Sequence, residues 1–247
     1  MRTHFHRSRA QLVRRWTAGK KIPVYDVGCG DGLFLWEAKK LGFKPMGFEP
    51  EPFPRKQAAQ QLGKDLDPKL FHSLGSEKIP AITCWQVIEH VANPRSFLNQ
   101  CHRQLKTGGI LALSTVNRDS IQSKCFGSQW LHLDPPRHLW VGSLTKVAEM
   151  VESSGFRIIC VRHNPLEFGP VGWVDSFFNL MDSKRDRLLH CLKLGFRDPQ
   201  DWVVWVLAAG LTPLAIVLSL MESWLNCPAT FEIYARAERK GARRQGG

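Results

Sequence analysis

Between residues 22 and 163, short apolar runs bounded by glycine or proline alternate with longer runs of helical period. Few chain folds satisfy that pattern. Strands flanked on both sides by crossover helices are buried on both faces, so the alternation calls for a parallel sheet between two helical layers. "IPVYDV" (22–27), "KPMGFE" (44–49), "AITCWQVI" (81–88), "ILALSTV" (110–116) and "FRIICVRH" (156–163) read as strands, with "KLFH" (69–72) a weak one and "ATFEIYARAE" (229–238) the last. The expectation is an α/β, doubly wound, mostly parallel sheet of seven strands. Residues 4–17 predict a helix with Phe5, Leu12, Val13 and Trp16 on one face and Arg9, Arg14 and Arg15 mostly elsewhere. "GLFLWEAKKLG" and "EPFPRKQAAQQLG" follow as helices. Asn93-Pro94 opens another, with Asn93 as cap and Gly108-Gly109 as its end, and Ser143 caps "LTKVAEMVESSG".

The first strand runs directly into "DVGCGDG", Asp26 to Gly32, before a helix. Ligands of such sheets bind at the carboxyl ends of the strands. Gly28 and Gly30 allow a close backbone approach, and the following helix start offers amide donors. A tight turn with no ligand is the alternative. The loop is no phosphate loop, because G-K-[ST] is missing. A dinucleotide loop, G-x-G-x-x-G, needs glycine where Leu33 stands. Glu49 ends the second strand, where a carboxylate can accept both ribose hydroxyls of an adenosine. An exposed acid at a strand end is the bland reading of Glu49.

Asp26-x-Gly28-x-Gly30-x-Gly32, Glu49, "VIEHVANP" (87–94), "LKTGGILALST" (105–115) and "LDPPRHLW" with "SLTKVAEMVESSGF" resemble the class I S-adenosylmethionine-dependent methyltransferases. The resemblance is to their ubiquinone-type O-methyltransferase branch. It covers residues 1 to about 163 and resumes at 229–238. Thr107 departs from it, standing where proline is usual, and the strand before "CWQVIEH" lacks the usual Phe-Asp start. The resemblance implies a Rossmann-like fold and S-adenosylmethionine as cofactor. It implies that Asp26, with Gly28, Cys29, Gly30 and Gly32, holds the methionine part and Glu49 the ribose. It places Ser73 and Leu74 beside the adenine, and Trp85 and Gln86 against the cofactor. Methyl transfer displaces a good leaving group at carbon, so positioning supplies much of the rate.

A base is needed only if the acceptor must lose a proton. His90, after Glu89 at the end of the 81–88 strand, and His138, in "PPRHLW", are the candidates, since imidazole titrates near neutral pH. Each has a structural alternative, fixing its own loop. Some relatives in the resembled branch hold a divalent metal through E-x-x-E-H. Here the first acid is Gln86, leaving Glu89 and His90, so no metal is expected. "DPPR" (134–137) is not the D-P-P-aromatic motif of adenine methyltransferases, since Arg137 replaces the aromatic and the motif stands in the wrong place.

Residues 164–228 interrupt the pattern before the last strand. The expected organisation is a methyltransferase domain over 1–163 completed by 229–238, a helical insertion over 164–228, and a basic tail, 239–247. Within the insertion, "WVVWVLAAGLTPLAIVLSLM" (202–221) carries no charge and is long enough to cross a bilayer core. Basic residues flank it on both sides, Thr212-Pro213 should break or kink the helix, and the leg 175–196 is charged. Two short arms that dip into one leaflet are therefore expected, with 175–226 contacting an anionic membrane surface. A cap buried against the domain or in a homodimer is the alternative.

The net charge of +12 suits anionic lipid or nucleic acid, but no nucleic-acid module is appended, so no nucleic-acid partner is expected. Seven scattered cysteines without C-x-x-C read as reduced thiols of a cytosolic protein. The expected function is methyl transfer to a small lipophilic acceptor at oxygen, on the cytoplasmic face of a membrane, by a peripheral or monotopic protein. A catalytically silent membrane adaptor with the same fold, or an RNA or DNA methyltransferase, are the alternatives.

Overall fold

The structure is a computed structural model that describes residues 2–18, 21–70, 78–181, 188, 191, 195 and 201–239. Its strands are β1 (Pro23–Val27), β2 (Lys44–Phe48), β3 (Ile79–Trp85), β4 (Leu105–Val116), β5 (Phe156–Arg162) and β6 (Thr230–Ala237). They form one sheet in the order β2-β1-β3-β4-β6-β5. β1 pairs in parallel with β2 and β3, and β3 with β4, while β5 and β6 run antiparallel. The helices are α1 (Arg2–Trp16), α2 (Leu33–Lys40), α3 (Pro52–Leu62), α4 (Pro94–Gln104), α5 (Ile121–Phe126), α6 (Leu144–Ser153), α7 (Pro165–Met181) and α8 (Asp201–Trp224).

The chain divides into two units. The first comprises Met1–Thr115, Thr145–Arg162 and Glu232–Gly247, and the second Val116–Leu144 and His163–Phe231. The loop 116–144 therefore groups with the insertion. In the first unit, one core cluster joins Ala10 and Val13 of α1 to Leu35 and Ala38 of α2, Val24, Ala81 and Ala112 of the sheet, and Tyr234. Each large apolar side chain so buried contributes about 1.5–3 kcal/mol. In the second unit, Val174 and Phe178 of α7 pack with Val204, Ala208 and Ala215 of α8.

Four expectations need correction. The sheet has six strands among the described residues, not seven. Where a strand was expected at 69–72, Lys69 and Leu70 lie in a bend and turn, and 71–72 fall outside the described residues. Among the described residues of this stretch, Asp67 alone makes a parallel bridge, to Phe48. Pro68 follows at once and has no N–H to carry a ladder onward. Second, α4 ends at Gln104, not at the glycine pair: Leu105 turns extended and pairs with Ile79, and the ladder resumes at Ala81 opposite Ile110, so 106–109 bulge out of β4. The Asn93 cap is as expected, its side chain accepting from the Ser96 N–H at 2.9 Å.

Third, α8 runs unbroken through Pro213. The proline forfeits one helical hydrogen bond, but the buried positions before and after it lie in the same cluster against α7, and tertiary packing outweighs the local penalty. Fourth, Arg9 does not face outward. It is 2% exposed.

Candidate functional site

The site residues of the first unit gather at the carboxyl ends of β1, β2, β3 and β4. β1 ends in Asp26 and Val27, paired in register with Gly47 and Phe48. The chain then turns through Gly28, whose N–H, like that of Cys29, donates to the Phe48 carbonyl, at 2.8 and 3.0 Å. Gly28 has φ +67°, and a Cβ there would stand 2.7 Å from Val87 Cγ2. Gly32 has φ +80°, and a Cβ there would meet the Cα of Ala58 on α3 at 2.9 Å. Both the left-handed backbone and the close packing exclude a side chain at these two positions. α2 starts at the next residue, so the loop ends at a helix start whose dipole favours an anionic or hydroxyl-bearing ligand.

Glu49 lies immediately beyond β2. Its carboxylate accepts from the Gly30 N–H at 2.8 Å and the Glu51 N–H at 3.0 Å, and its own carbonyl accepts from Arg55 Nη1 at 2.8 Å. A strand-end acid that merely faced solvent would not be 7% exposed. Asp31, in the loop, pairs with Arg2 of α1 at 2.9 Å.

Asp26 sits behind the loop, 1% exposed, accepting from Thr83 Oγ1 at 2.5 Å. Burial pushes its carboxyl up to about 8; the Thr83 hydrogen bond and the Arg9 charge work in the opposite direction. The Cys29 thiol is also pushed up, chiefly by burial, and is an inert core thiol rather than a nucleophile.

Trp85 closes β3. Its ring lies 5.2 Å from that of Phe34 and 4.7 Å from the Arg9 guanidinium carbon, and its Nε1 is buried without a partner. Gln86 follows with φ +55°, a strained backbone for a residue with a side chain. Its N–H donates to the Ser114 carbonyl at 3.0 Å. With its amide oriented to satisfy both ends, Gln86 donates to Glu89 Oε1 at 3.2 Å and accepts from Ser114 Oγ at 3.1 Å. Glu89 is fully buried in the short helical turn Ile88–His90 and accepts from Thr115 Oγ1 at 3.0 Å. Burial raises its carboxyl to about 7. His90, at the end of that turn, is exposed.

His138 belongs to the second unit, where its Nδ1–H donates to the His132 carbonyl at 2.8 Å, a bond that leaves Nε2 as the basic nitrogen. Ser73 and Leu74 lie outside the described residues. The first unit thus brings together Asp26, Gly28, Cys29, Gly30, Gly32, Glu49, Trp85, Gln86, Glu89 and His90 on its loops and strand ends.

Sequence reasoning missed a second set beside these. Arg9 Nε donates to Glu232 Oε1 at 2.7 Å, Tyr234 Oη donates to Glu232 Oε2 at 2.7 Å, and Arg9 and Glu232 are each 2% exposed. This buried pair ties α1 to β6 and packs the Arg9 guanidinium on Trp85. One signal was available: a lone acid inside the apolar strand "TFEIYARA" needs a cationic partner.

A family model described as a methyltransferase domain matches residues 1–161. The ubiquinone biosynthesis O-methyltransferase of Cereibacter sphaeroides strain ATCC 17029 is 29% identical over 165 residues, covering 62% of this chain and 66% of that protein. The chain thus spans just under two thirds of the length of that relative. The ubiquinone biosynthesis O-methyltransferase of Dechloromonas aromatica is 30% identical over 167 residues, 60% of this chain and 71% of that protein. Among solved structures, a SAM-dependent methyltransferase from Archaeoglobus fulgidus has a TM-score of 0.58 at 18% identity, covering 95% of this chain and 94% of that one. A cyclopropane synthase from Mycobacterium tuberculosis has a TM-score of 0.61 at 12% identity, covering 94% and 83%. These two likenesses are of fold.

Proposed function

The chain belongs to the methyltransferase domain family, and from that premise we propose that it transfers a methyl group from S-adenosylmethionine to an oxygen of a small lipophilic acceptor. One observation carries the reading. The Glu49 carboxylate and the amides of the Gly28–Gly32 loop meet at the ends of β1 and β2, with Gly30 N–H and Glu49 Oε2 2.8 Å apart. An acceptor for ribose hydroxyls is thereby held in place by the Gly30 and Glu51 amides, beside a helix start whose dipole favours the carboxylate end of the cofactor. When bound there, S-adenosylmethionine supplies a methyl group on a sulfonium, already activated for displacement.

The residues of the chain supply binding and placement. Glu49, oriented by the Gly30 amide, holds the nucleoside end, and Trp85, braced by Phe34 and Arg9, gives the loop a rigid apolar neighbour. Asp26, which keeps its proton near neutral pH, adds no full negative charge behind the loop. In this reading His90, exposed at the strand end, takes the proton from a hydroxyl acceptor. The acceptor class rests on the relatives, whose names put their methyl transfer to oxygen in the biosynthesis of ubiquinone. All seven cysteines are free thiols, which fits a cytoplasmic protein.

Calorimetry with S-adenosylmethionine tests the site. Wild type should bind, and Glu49→Ala should bind at least about tenfold more weakly, the loss expected for hydrogen bonds to a charged acceptor. Equal affinity, or no binding by wild type, would sink the assignment. Mass spectrometry of lipid extracts from cells with and without the protein identifies the acceptor by the mass of one added methylene.

A further inference from the structure

We propose that α8 lies in the plane of a bilayer, with its outer face embedded in one leaflet and its inner face held by α7. The inference goes beyond the methyl-transfer reading and does not depend on it. α8 is long and apolar enough to cross a membrane, yet only 22% of its apolar stretch is buried. Its inward positions recur as Val204, Ala208, Leu211 and Ala215, the stripe that meets α7. The outward face carries Val206 at 60%, Leu207 at 49%, Leu214 at 58% and Val217 at 52% exposure. No side chain between Trp202 and Met221 bears a charge, and Trp202 and Trp224 stand exposed at the two ends. Tryptophan at both ends of an apolar segment marks contact with the headgroup level of a bilayer, in spanning and in-plane helices alike.

The width of the face selects the occupant. At about 100° per residue, its exposed positions sweep roughly 160° of the helix, while a helix of a second copy covers a stripe of about 100°. Such a partner would leave part of the face in water, whereas hydrocarbon covers all of it.

The packing of α7 selects the orientation. α7 is bound along its length to polar segments of the second unit. Gln122 Nε2 donates to the Gly169 carbonyl at 3.1 Å, the Leu131 N–H to Ser176 Oγ at 2.8 Å, and Asn179 Nδ2 to the Gln129 carbonyl at 3.1 Å. Gly127 and Ser128, beside Gln129, are exposed. A crossing by α8 would drag α7 and these segments into hydrocarbon, where their remaining backbone groups have no partners. A helix lying in the interface keeps them in water.

The test is flotation of the full chain with vesicles of phosphatidylcholine alone, and with vesicles also containing phosphatidylglycerol. Wild type should float with both, and high salt should not release it. The variant Val206→Glu, Leu214→Glu, Val217→Glu should stay unbound while keeping the wild-type circular dichroism and S-adenosylmethionine affinity, because all three positions are exposed. Depth follows from Leu214→Trp. The emission that this tryptophan adds should be quenched best by lipids brominated near the headgroup. Best quenching by bromines at the chain ends would establish a crossing and overturn the in-plane reading. Wild type that floats only with anionic vesicles, or that stays unbound and sediments as a dimer, would overturn the apolar-face reading. Failure to bind S-adenosylmethionine would count against the methyl-transfer reading alone.

Discussion

At the scale of residues, burial decides the protonation of the site. Asp26 has its carboxyl raised to about 8 from 3.8, and Glu89 to about 7 from 4.5, each chiefly by desolvation. A raised acid binds its proton more tightly folded than unfolded. Its stabilising effect is complete below the unfolded value and is lost as pH rises through the folded one. His6 and His132, both lowered to about 4 chiefly by burial, act in the opposite direction, but only up to their ordinary 6.5. Above pH 6.5 these two histidines no longer contribute, while Glu89 still acts up to about pH 7 and Asp26 up to about pH 8. Denaturant titrations there should show stability falling by at most about 1.4 kcal/mol per pH unit for each carboxyl. Asp26→Asn, which keeps the acceptor for Thr83, should flatten that fall; an unchanged slope would place its source elsewhere. His90→Ala tests the proposed base. Turnover should drop about a hundredfold with cofactor affinity intact, and unchanged turnover across the pH range would make His90 a structural residue. The placement of Asp26, Gly28, Gly30 and Glu49 at strand ends and in the loop was legible because turn and strand-end patterns are local. Arg9 was not, because its partners Glu232 and Trp85 are distant in sequence and meet only through the sheet.

At the scale of elements, α8 shows packing prevailing over propensity. Pro213 leaves the Ala209 carbonyl without its helical donor, while Thr212 Oγ1 turns back to the Ala208 carbonyl at 2.7 Å. The position is exposed and the helix already straddles it, so alanine should fit without repacking. Pro213→Ala should raise stability by about 1–3 kcal/mol, read by thermal or denaturant unfolding. A loss would mean that the proline shapes the helix in a way its neighbours require. Near its end α8 carries Glu222, 1% exposed, which accepts from Gln122 N at 3.0 Å, Gln122 Nε2 at 2.9 Å and Trp173 Nε1 at 3.2 Å. An acid inside the helix thus joins α8 to α5 and α7. The length and apolar character of the helix were evident from composition. Its continuity was not, because the proline rule describes an isolated helix and the stripe packed on α7 supplies what the proline removes.

At the scale of the whole molecule, the net charge of +12 and the apolar face belong to different parts of the chain. Most of the positive charge falls in the first unit, and the uncharged stretch 202–221 in the second. Self-association in detergent-free buffer should therefore be driven by α8 and persist at high salt, which screens charge but strengthens apolar burial. Light scattering checks this: a mild detergent should disperse the wild type, and the triple glutamate variant should be monodisperse without it. Aggregation that salt dissolves would point to charge instead. From the sequence alone came the α/β alternation, the glycine loop with Glu49, the Asn93 cap and a last strand within 229–238, because periodicity, turn chemistry and strand-end acids act within a few residues of one another. Tertiary structure alone decided the order of the six strands among the described residues, the bulge at 106–109, the buried Arg9–Glu232 pair, the grouping of 116–144 with the insertion, and which face of α8 stays open. Each of these depends on what a segment packs against, and packing partners are separated along the chain by up to the 223 residues that divide Arg9 from Glu232.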